Sequence, residues 1–413
     1  MTVIIGAHSG DVVTTSRIDP PAEIPLPMRR NGLDPAPELL SLHKDDGVVR
    51  IDGPFRAPTW LVTRYADVRA VLADTARFSN AAPLPGFAEA NAEQSVAGNL
   101  LLSDPPDHHR LRRMLSGQFT LRRMRALAPR VEQIVEEHLD VMAQKGPPAD
   151  LIADFALPVP SLVICELLGV PWDERDEFQR RSAEQMDLSR PEHERVAALQ
   201  ELHRYLSGLV VRARRSPADD LLGMLVREHG DELTDPELAG MALLLLVAGH
   251  ETTANMIGLG TLALLRHPDQ LAVVRDDPAA TERAVEELLR WLSVVHTGVQ
   301  RTATADVELA GVTIRAGDAV LVALPAANRD PGFIDHPDAL DIGRGEAGHL
   351  AFGHGVHHCL GAPLARLELC AAFPALLRRF PSLALAVPDS EVEFRVFNSV
   401  YGAAALPVSW EIR

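Results

Sequence analysis

Apolar residues recur at three- and four-residue spacing through most of this chain, the mark of helices that bury one face. The period predicts helices over 66–73, 107–117, 123–144, 159–168, 173–184, 191–214, 218–228, 281–292 and 362–380. One stretch departs from it. From about 235 to 266 the chain is apolar nearly all round before Gly249, which predicts a helix of ~48 Å lying inside the protein. β-branched runs are few, and those at 48–51, 59–63, 306–314 and 319–323 predict short strands collected near the two ends. Residues 1–37 carry Pro20, Pro21, Pro25, Pro27, Pro35 and Pro37 and read as an irregular surface arm. Residues 81–100, with Pro83, Pro85, Gly86 and Gly98, read as a long loop of the kind that covers a binding site. The expected class is mainly α with small β-sheets.

No linker, repeat or low-complexity tract divides the 413 residues, so a single domain over 1–413 is expected. Hydrophobic content of 46 % is ample for a core, and 23 % charge is ordinary for a soluble globular protein. The longest apolar run, 241–249, falls short of the ~20 residues that span a bilayer. No basic region followed by an apolar one opens the chain, and three cysteines (165, 359 and 370) do not make a disulfide framework. A cytoplasmic protein without membrane association is the expectation.

A net charge of −17 argues against nucleic acid as partner. Residues 108–130 run the other way, with Arg110, Arg112, Arg113, Arg122, Arg123, Arg125 and Arg130 and no Asp or Glu. Such a stretch is either a docking face for an acidic partner or a helix surface whose ionic partners lie elsewhere in the fold.

Candidate chemistry begins at 352–361, which reads Phe-Gly-His-Gly-Val-His-His-Cys-Leu-Gly. Glycines at 353, 355 and 361 let a tight loop approach a flat ligand closely. Cys359, between His357 and His358 and the start of a helix, is placed to become a thiolate. A thiolate there is a strong axial ligand for haem iron. Two other readings stand beside it. A lone Cys before an apolar helix also serves as a small packed hydrophobe. His354, His357, His358 and Cys359 are zinc-type ligands, although four within six residues crowd a tetrahedron.

The long helix holds a second constellation, Glu251 and Thr252 after a run of leucines. A buried carboxylate costs several kcal/mol unless it is solvated, paired or protonated, so its position demands a cause. Gly249 weakens the helix, and Thr252 can bond back to the Ala248 carbonyl. Together they predict a local bulge that opens a groove for a small molecule and water. A plain structural threonine is the alternative.

The cysteine loop and the Ala-Gly-His-Glu-Thr-Thr stretch at 248–253 resemble the haem-binding signature and the oxygen-binding segment of the cytochrome P450 superfamily. Glu287 and Arg290 match its Glu-x-x-Arg motif, and His108 and Arg112 stand where its His-x-x-x-Arg pair stands. These matches follow in the expected order and cover nearly the whole chain. The resemblance implies a haem b held between the long central helix and the helix after the cysteine loop. It implies Cys359 as axial ligand, with Ala248, Phe352, Gly353 and Gly361 against the cofactor. His108, Arg112, Arg301 and His357 would meet its two propionates. Thr252 would hold dioxygen and Glu251 relay protons, a pair that marks O2-dependent members. Glu287, Arg290 and Arg344 would form a structural network holding the cysteine loop in register.

Leu244, Val247, Val295 and Phe397 fall in the family's substrate-contact regions and point to a bulky hydrophobic substrate. The implied activity is monooxygenation (hydroxylation or epoxidation) in natural-product tailoring such as antibiotic biosynthesis, by a soluble bacterial, actinobacterial-type member. Xenobiotic or steroid and terpenoid hydroxylation is the alternative within the family, and a non-catalytic haem sensor the alternative outside it. No flavin fingerprint or iron–sulfur cysteine cluster occurs. Electrons are therefore expected from a ferredoxin and its NAD(P)H-dependent reductase, with the Arg-rich stretch as docking face and the protein acting as a monomer.

Overall fold

The computed structural model describes residues 24–44, 47–52, 58–81, 97–175, 180–181, 184, 190–344 and 348–412. The helical period becomes α1 (Tyr65–Ala73), α2 (Asp107–Ser116), α3 (Leu121–Lys145), α4 (Pro158–Leu168), α5 (Glu192–Arg215), α6 (Leu221–His229) and α7 (Asp235–Leu265). After these come α8 (Pro268–Asp276), α9 (Thr281–Leu292) and α10 (Ala362–Arg379). Residues 1–23 of the proline-rich arm, 82–96 of the long loop, and 176–179 and 182–183 of the helix expected at 173–184 lie outside the described residues.

The centre of the fold is α7. Thr234 caps it through the Glu237 amide, and Glu237 returns a bond to the Thr234 amide in a reciprocal box. Its 31 residues meet the length and hydropathy that cross a membrane, yet two-thirds of its most apolar window is buried against α4, α5 and α10. The expected bulge at Gly249 is not formed; α7 runs as unbroken α-helix from Asp235 to Leu265. The glycine serves packing instead, because a Cβ there would stand 3.0 Å from Ile164 Cδ1 on α4. The back-bond is present, with Thr252 Oγ1 donating to Ala248 O at 2.9 Å.

Five strands make the main sheet: β1 (Val48–Asp52), β2 (Pro58–Val62), β3 (Phe78–Ser79), β4 (Val299–Ala303) and β5 (Ala319–Val322), in the order β1-β2-β5-β4-β3. β5 lies parallel to β2 and antiparallel to β4, with Arg301 opposite Val320. The sequence expectation needs four corrections. The single strand at 306–314 is a hairpin of Val307–Leu309 and Val312–Ile314, turned by Ala310 and Gly311 at φ 48° and 81°. β4 went unpredicted because its polar Gln300, Arg301 and Thr302 mask the alternation. α8 buries only Val274 completely, too little to print an apolar period. The end of the arm is ordered rather than irregular. Residues Arg30–Asn31 pair with Asp34–Pro35, and Arg30 donates to the carbonyls of Leu292 and Ser293.

Below the sheet, Arg290 is 1 % exposed and every face of its guanidinium is used. It pairs with both Glu287 oxygens at 2.7 and 2.8 Å and donates to the carbonyls of Asn328, Pro337 and Ala339. Glu287 also accepts the Asp341 amide at 2.9 Å and faces Arg344 at 3.5 Å, while Arg344 donates to the carbonyls of Asp335 and His336. Asn328 carries the network on to the cysteine loop, accepting the Leu350 amide at 2.6 Å. A second tie joins α9 to α10. Glu286 accepts from Arg366 at 2.9 Å and meets His349 at 3.1 Å, and these partners outweigh burial to hold its carboxyl down at about 2.

Glu287→Ala leaves a guanidinium buried and unpaired and is expected to cost about 3–5 kcal/mol, read as a lower urea midpoint. Glu286 has a folded pKa of about 2, below the unfolded value of about 4.3. Its contribution is complete above the unfolded value and disappears as pH falls through the folded one. The Tm difference between wild type and Glu286→Gln is therefore expected to be widest above about pH 5 and to shrink as pH drops toward 2.

Candidate active site

The cysteine loop is a closed turn. Cys359 N donates to Phe352 O at 2.9 Å and Gly353 N to Leu350 O at 2.8 Å, with Gly353 and Gly355 at φ 71° and 72°. At Gly355 the backbone also passes α1 so closely that a Cβ would stand 2.7 Å from Leu72 O. Glycine is required there on both counts.

Cys359 is exposed on one side and packed by its own loop on the other. The packed side pushes its thiol up through burial, against the pull of the Gly361 and Ala362 amides and the charges of Arg112 and Arg366. The positive neighbours are thus arginines, not the flanking histidines expected from the sequence. Burial pushes His357 down to about 3 and lowers His358 as well, so both are neutral. A bound metal cation reverses this balance, because a coordinating thiol is deprotonated outright.

Beside the loop, α2 and β4 bring three more basic groups together. His108 is fully buried, with its ring 4.1 Å from that of His357. Both nitrogens of both rings are buried without a hydrogen-bond partner, and so is Arg301 Nε. Burial first, then neighbouring positive charge, drives His108 down to about 4; burial lowers Arg301 to about 10. Arg112, one turn beyond His108 on α2, lies near Cys359. Each buried, unpartnered polar group costs about 1–3 kcal/mol, and native proteins rarely gather so many in one place. The donor set calls for an anionic group with several acceptors, and the two carboxylates of a haem fit it.

On α7 a stripe stays open within an otherwise buried helix. Leu244, Val247 and Thr252 are half-buried and Ala248 is exposed, while Leu245, Leu246, His250 and Thr253 to either side are buried. The i, i+3, i+4, i+8 spacing puts the open residues on one face. Glu251, four residues after Val247 and three after Ala248, falls on the same side of α7 by spacing, yet it is buried where its neighbours stay open. Its Oε2 accepts from Asn255 at 3.2 Å and stands 3.6 Å from Arg395. Val295, after α9, and Phe397, in the C-terminal turn, are both half-buried. Their segments are tied together by the His296 ring on Asn398 O at 2.7 Å and by Thr297 donating to Ser399 O.

Sequence reasoning missed three residues. Arg366, two turns along from Cys359, stacks over Phe352 at 4.6 Å and bears on the thiol. Its spacing from the cysteine was the available signal. Asn255 carries the i, i+4 spacing from Glu251 that would have marked it. Nothing local marks Arg395. Among the described residues no cluster of three or more His, Cys, Asp or Glu could hold a metal ion, which leaves the zinc reading without its ligand set.

The family model for cytochrome P450 matches residues 47–206 and 185–394. Cytochrome P450 FAS1 of Rhodococcoides fascians is 50 % identical over 397 residues, covering 94 % of this chain and 99 % of that protein. The structure of P450 StaH from glycopeptide antibiotic A47934 biosynthesis superposes with a TM-score of 0.85 at 46 % identity, covering 94 % of this chain and all of that one. CYP105P1 in complex with filipin I superposes at 0.87 with 41 % identity, covering 93 % and 98 %. Family, fold and relatives agree with what the cysteine loop and the basic cluster require: this chain belongs to the cytochrome P450 family of haem b-dependent monooxygenases.

Proposed function

We propose that this chain, as one domain over 1–413, oxidises a bulky hydrophobic natural product by a single atom from O2. The observation that carries the reading is the exposed Cys359, with Arg112 near it, in the same loop as His357, whose ring packs on His108 with all four ring nitrogens buried and unpartnered. Cys359 would ligate the haem iron as a thiolate, with Arg112 and Arg366 favouring its ionised form. His108, Arg112, Arg301 and His357 take the two propionates, and Phe352, Gly353 and Gly361 shape the loop against the ring. The haem supplies the oxidising chemistry when bound. Overall, substrate, O2, two electrons and two protons give oxygenated product and water. Ala248 and Thr252 bound the dioxygen position on the open stripe of α7, and Glu251 is the nearby acid. Leu244, Val247, Val295 and Phe397 form the apolar wall that orients the substrate. StaH acts in antibiotic biosynthesis and CYP105P1 binds filipin I, which favours natural-product tailoring over xenobiotic oxidation.

Two electrons come from outside. A ferredoxin, reduced by an NAD(P)H-dependent reductase, is the proposed donor to this cytoplasmic, monomeric protein. The docking face divides the Arg-rich stretch in two. Arg110 pairs with Glu237, and Arg130 with Glu166. Arg113, Arg122 and Arg125 are exposed and have no ionic partner among the described residues, and Leu121 between them is 65 % exposed. An unpaired basic patch around one apolar side chain suits an acidic protein partner.

With dithionite and carbon monoxide the wild type is expected to show the far-red Soret band of a thiolate-ligated haem. Cys359→His should move it to the shorter, imidazole-type position; a band unmoved by that change would assign the ligand elsewhere. Arg113→Glu or Arg122→Glu should slow reduction by ferredoxin about tenfold at low salt, with the difference fading as salt screens the patch. Substrate-induced spin-state shifts should stay as in wild type. Stopped-flow reduction rates equal to wild type would sink the docking face.

A further inference from the structure

Glu251 is the acid of the proposed reaction, yet its carboxylate lies buried in the packed interior instead of opening onto the stripe around it. There Oε2 meets Asn255 and Arg395, and Oε1 has no partner. Arg395 comes from a turn at the far end of the chain, closed by Arg395 N on Gly402 O at 2.8 Å and by pairing of Phe394 with Ala403. Its Nη2 donates to Asn255 Oδ1 at 2.7 Å. Gly402 makes the approach possible, since a Cβ there would stand 1.7 Å from Asn255 Oδ1 and 3.2 Å from Arg395 Nη2. The turn is thus fitted against α7 at Glu251, the carboxylate in the buried middle of the helix.

Exposure rises along this network. The Glu251 side chain is 1 % exposed and that of Arg395 29 %. His250, the neighbouring titratable group, is buried and pushed down by that burial, so the counter-charge at Glu251 is Arg395. A buried carboxylate without its counter-charge is costly, and a guanidinium keeps its protons throughout. Water at the exposed end of Arg395, not the arginine itself, is then the proton source.

We propose that Arg395 is the positioning residue for Glu251, holding its carboxylate against Asn255 and opening its route to solvent. The inference rests on the monooxygenase reading above. In the step concerned the O–H bond of the Glu251 carboxyl breaks and its proton moves toward the Thr252 side. The carboxylate left behind is met by Arg395, and a proton from water restores it. No electron moves in this step.

The test uses the full haem-loaded chain as Arg395→Gln, Arg395→Lys and Gly402→Ala. The Glu251 carboxyl signal is assigned by infrared difference against Glu251→Gln. Arg395→Gln is expected to shift that signal, Arg395→Lys to restore most of it, and Gly402→Ala to disturb it by pushing Asn255 and Arg395 aside without removing a charge. With a ferredoxin, its reductase and 7-ethoxycoumarin as hydrophobic probe, Arg395→Gln should raise severalfold the share of electrons recovered as hydrogen peroxide. A signal unchanged in Arg395→Gln overturns the inference, as does a lysine variant no nearer wild type than the glutamine one. Should Arg395→Gln fail to take up haem, the lysine and Gly402→Ala variants decide by the same signal. Loss of the thiolate-type carbon monoxide band in wild type would instead remove the monooxygenase reading itself.

Discussion

One buried ion pair organises the region behind the active site. Arg290 and Glu287 lie together on α9, and burying either charge there without the other would be costly. Their remaining hydrogen-bonding capacity is spent on the meander, through the carbonyls of Asn328, Pro337 and Ala339 and the amide of Asp341. A segment with no regular structure of its own is thereby held to a rigid helix, and Asn328 passes the constraint to Leu350 at the entry of the cysteine loop. The bonds of this pair thus reach the segment that leads into Cys359. The tie of Glu286 to His349 and Arg366 acts in parallel, and Arg366 in turn stacks on Phe352 at the loop's start.

The site sets two environments side by side. Around the cysteine loop, basic groups are packed without acidic partners, so imidazoles are driven neutral and an anionic ligand would be strongly favoured. Along α7 the surroundings are apolar, and polar groups survive by specific pairing: Thr252 on its own helix, Glu251 against Asn255 and Arg395. Close packing makes room for this arrangement. Gly249 seats α4 against α7 on one side, and Gly402 seats the C-terminal turn on another. The outer face of the basic region is different again. There Arg113, Arg122 and Arg125 are exposed without ionic partners among the described residues, an asymmetry on a chain of net charge −17.

Much of this was legible locally. The 3.6-residue period predicted α7 to within a residue and most other helices closely, because burial of one face imposes that period directly on the sequence. The cysteine loop was legible because its glycines are needed at nearly adjacent positions. The Glu287–Arg290 pair and the Thr252 back-bond follow from i, i+3 and i, i+4 spacing. Where burial is slight or polar residues interrupt the strand, as in α8 and β4, the period fades and the elements were missed.

By itself the sequence determined most helices, the thiol in its glycine loop and the back-bonded alcohol of Thr252, since each depends on residues close together in the chain. Only the tertiary structure decided which charges meet. It buried Glu251 on a side of α7 whose neighbours stay open, and replaced the expected histidine neighbours of Cys359 with Arg112 and Arg366. It also separated the paired arginines of 108–130 from the unpaired ones. Asn255 and Arg395 are 140 residues apart, and no local period records such a contact. It exists because two backbones approach at Gly402, a distance that only the packed chain defines.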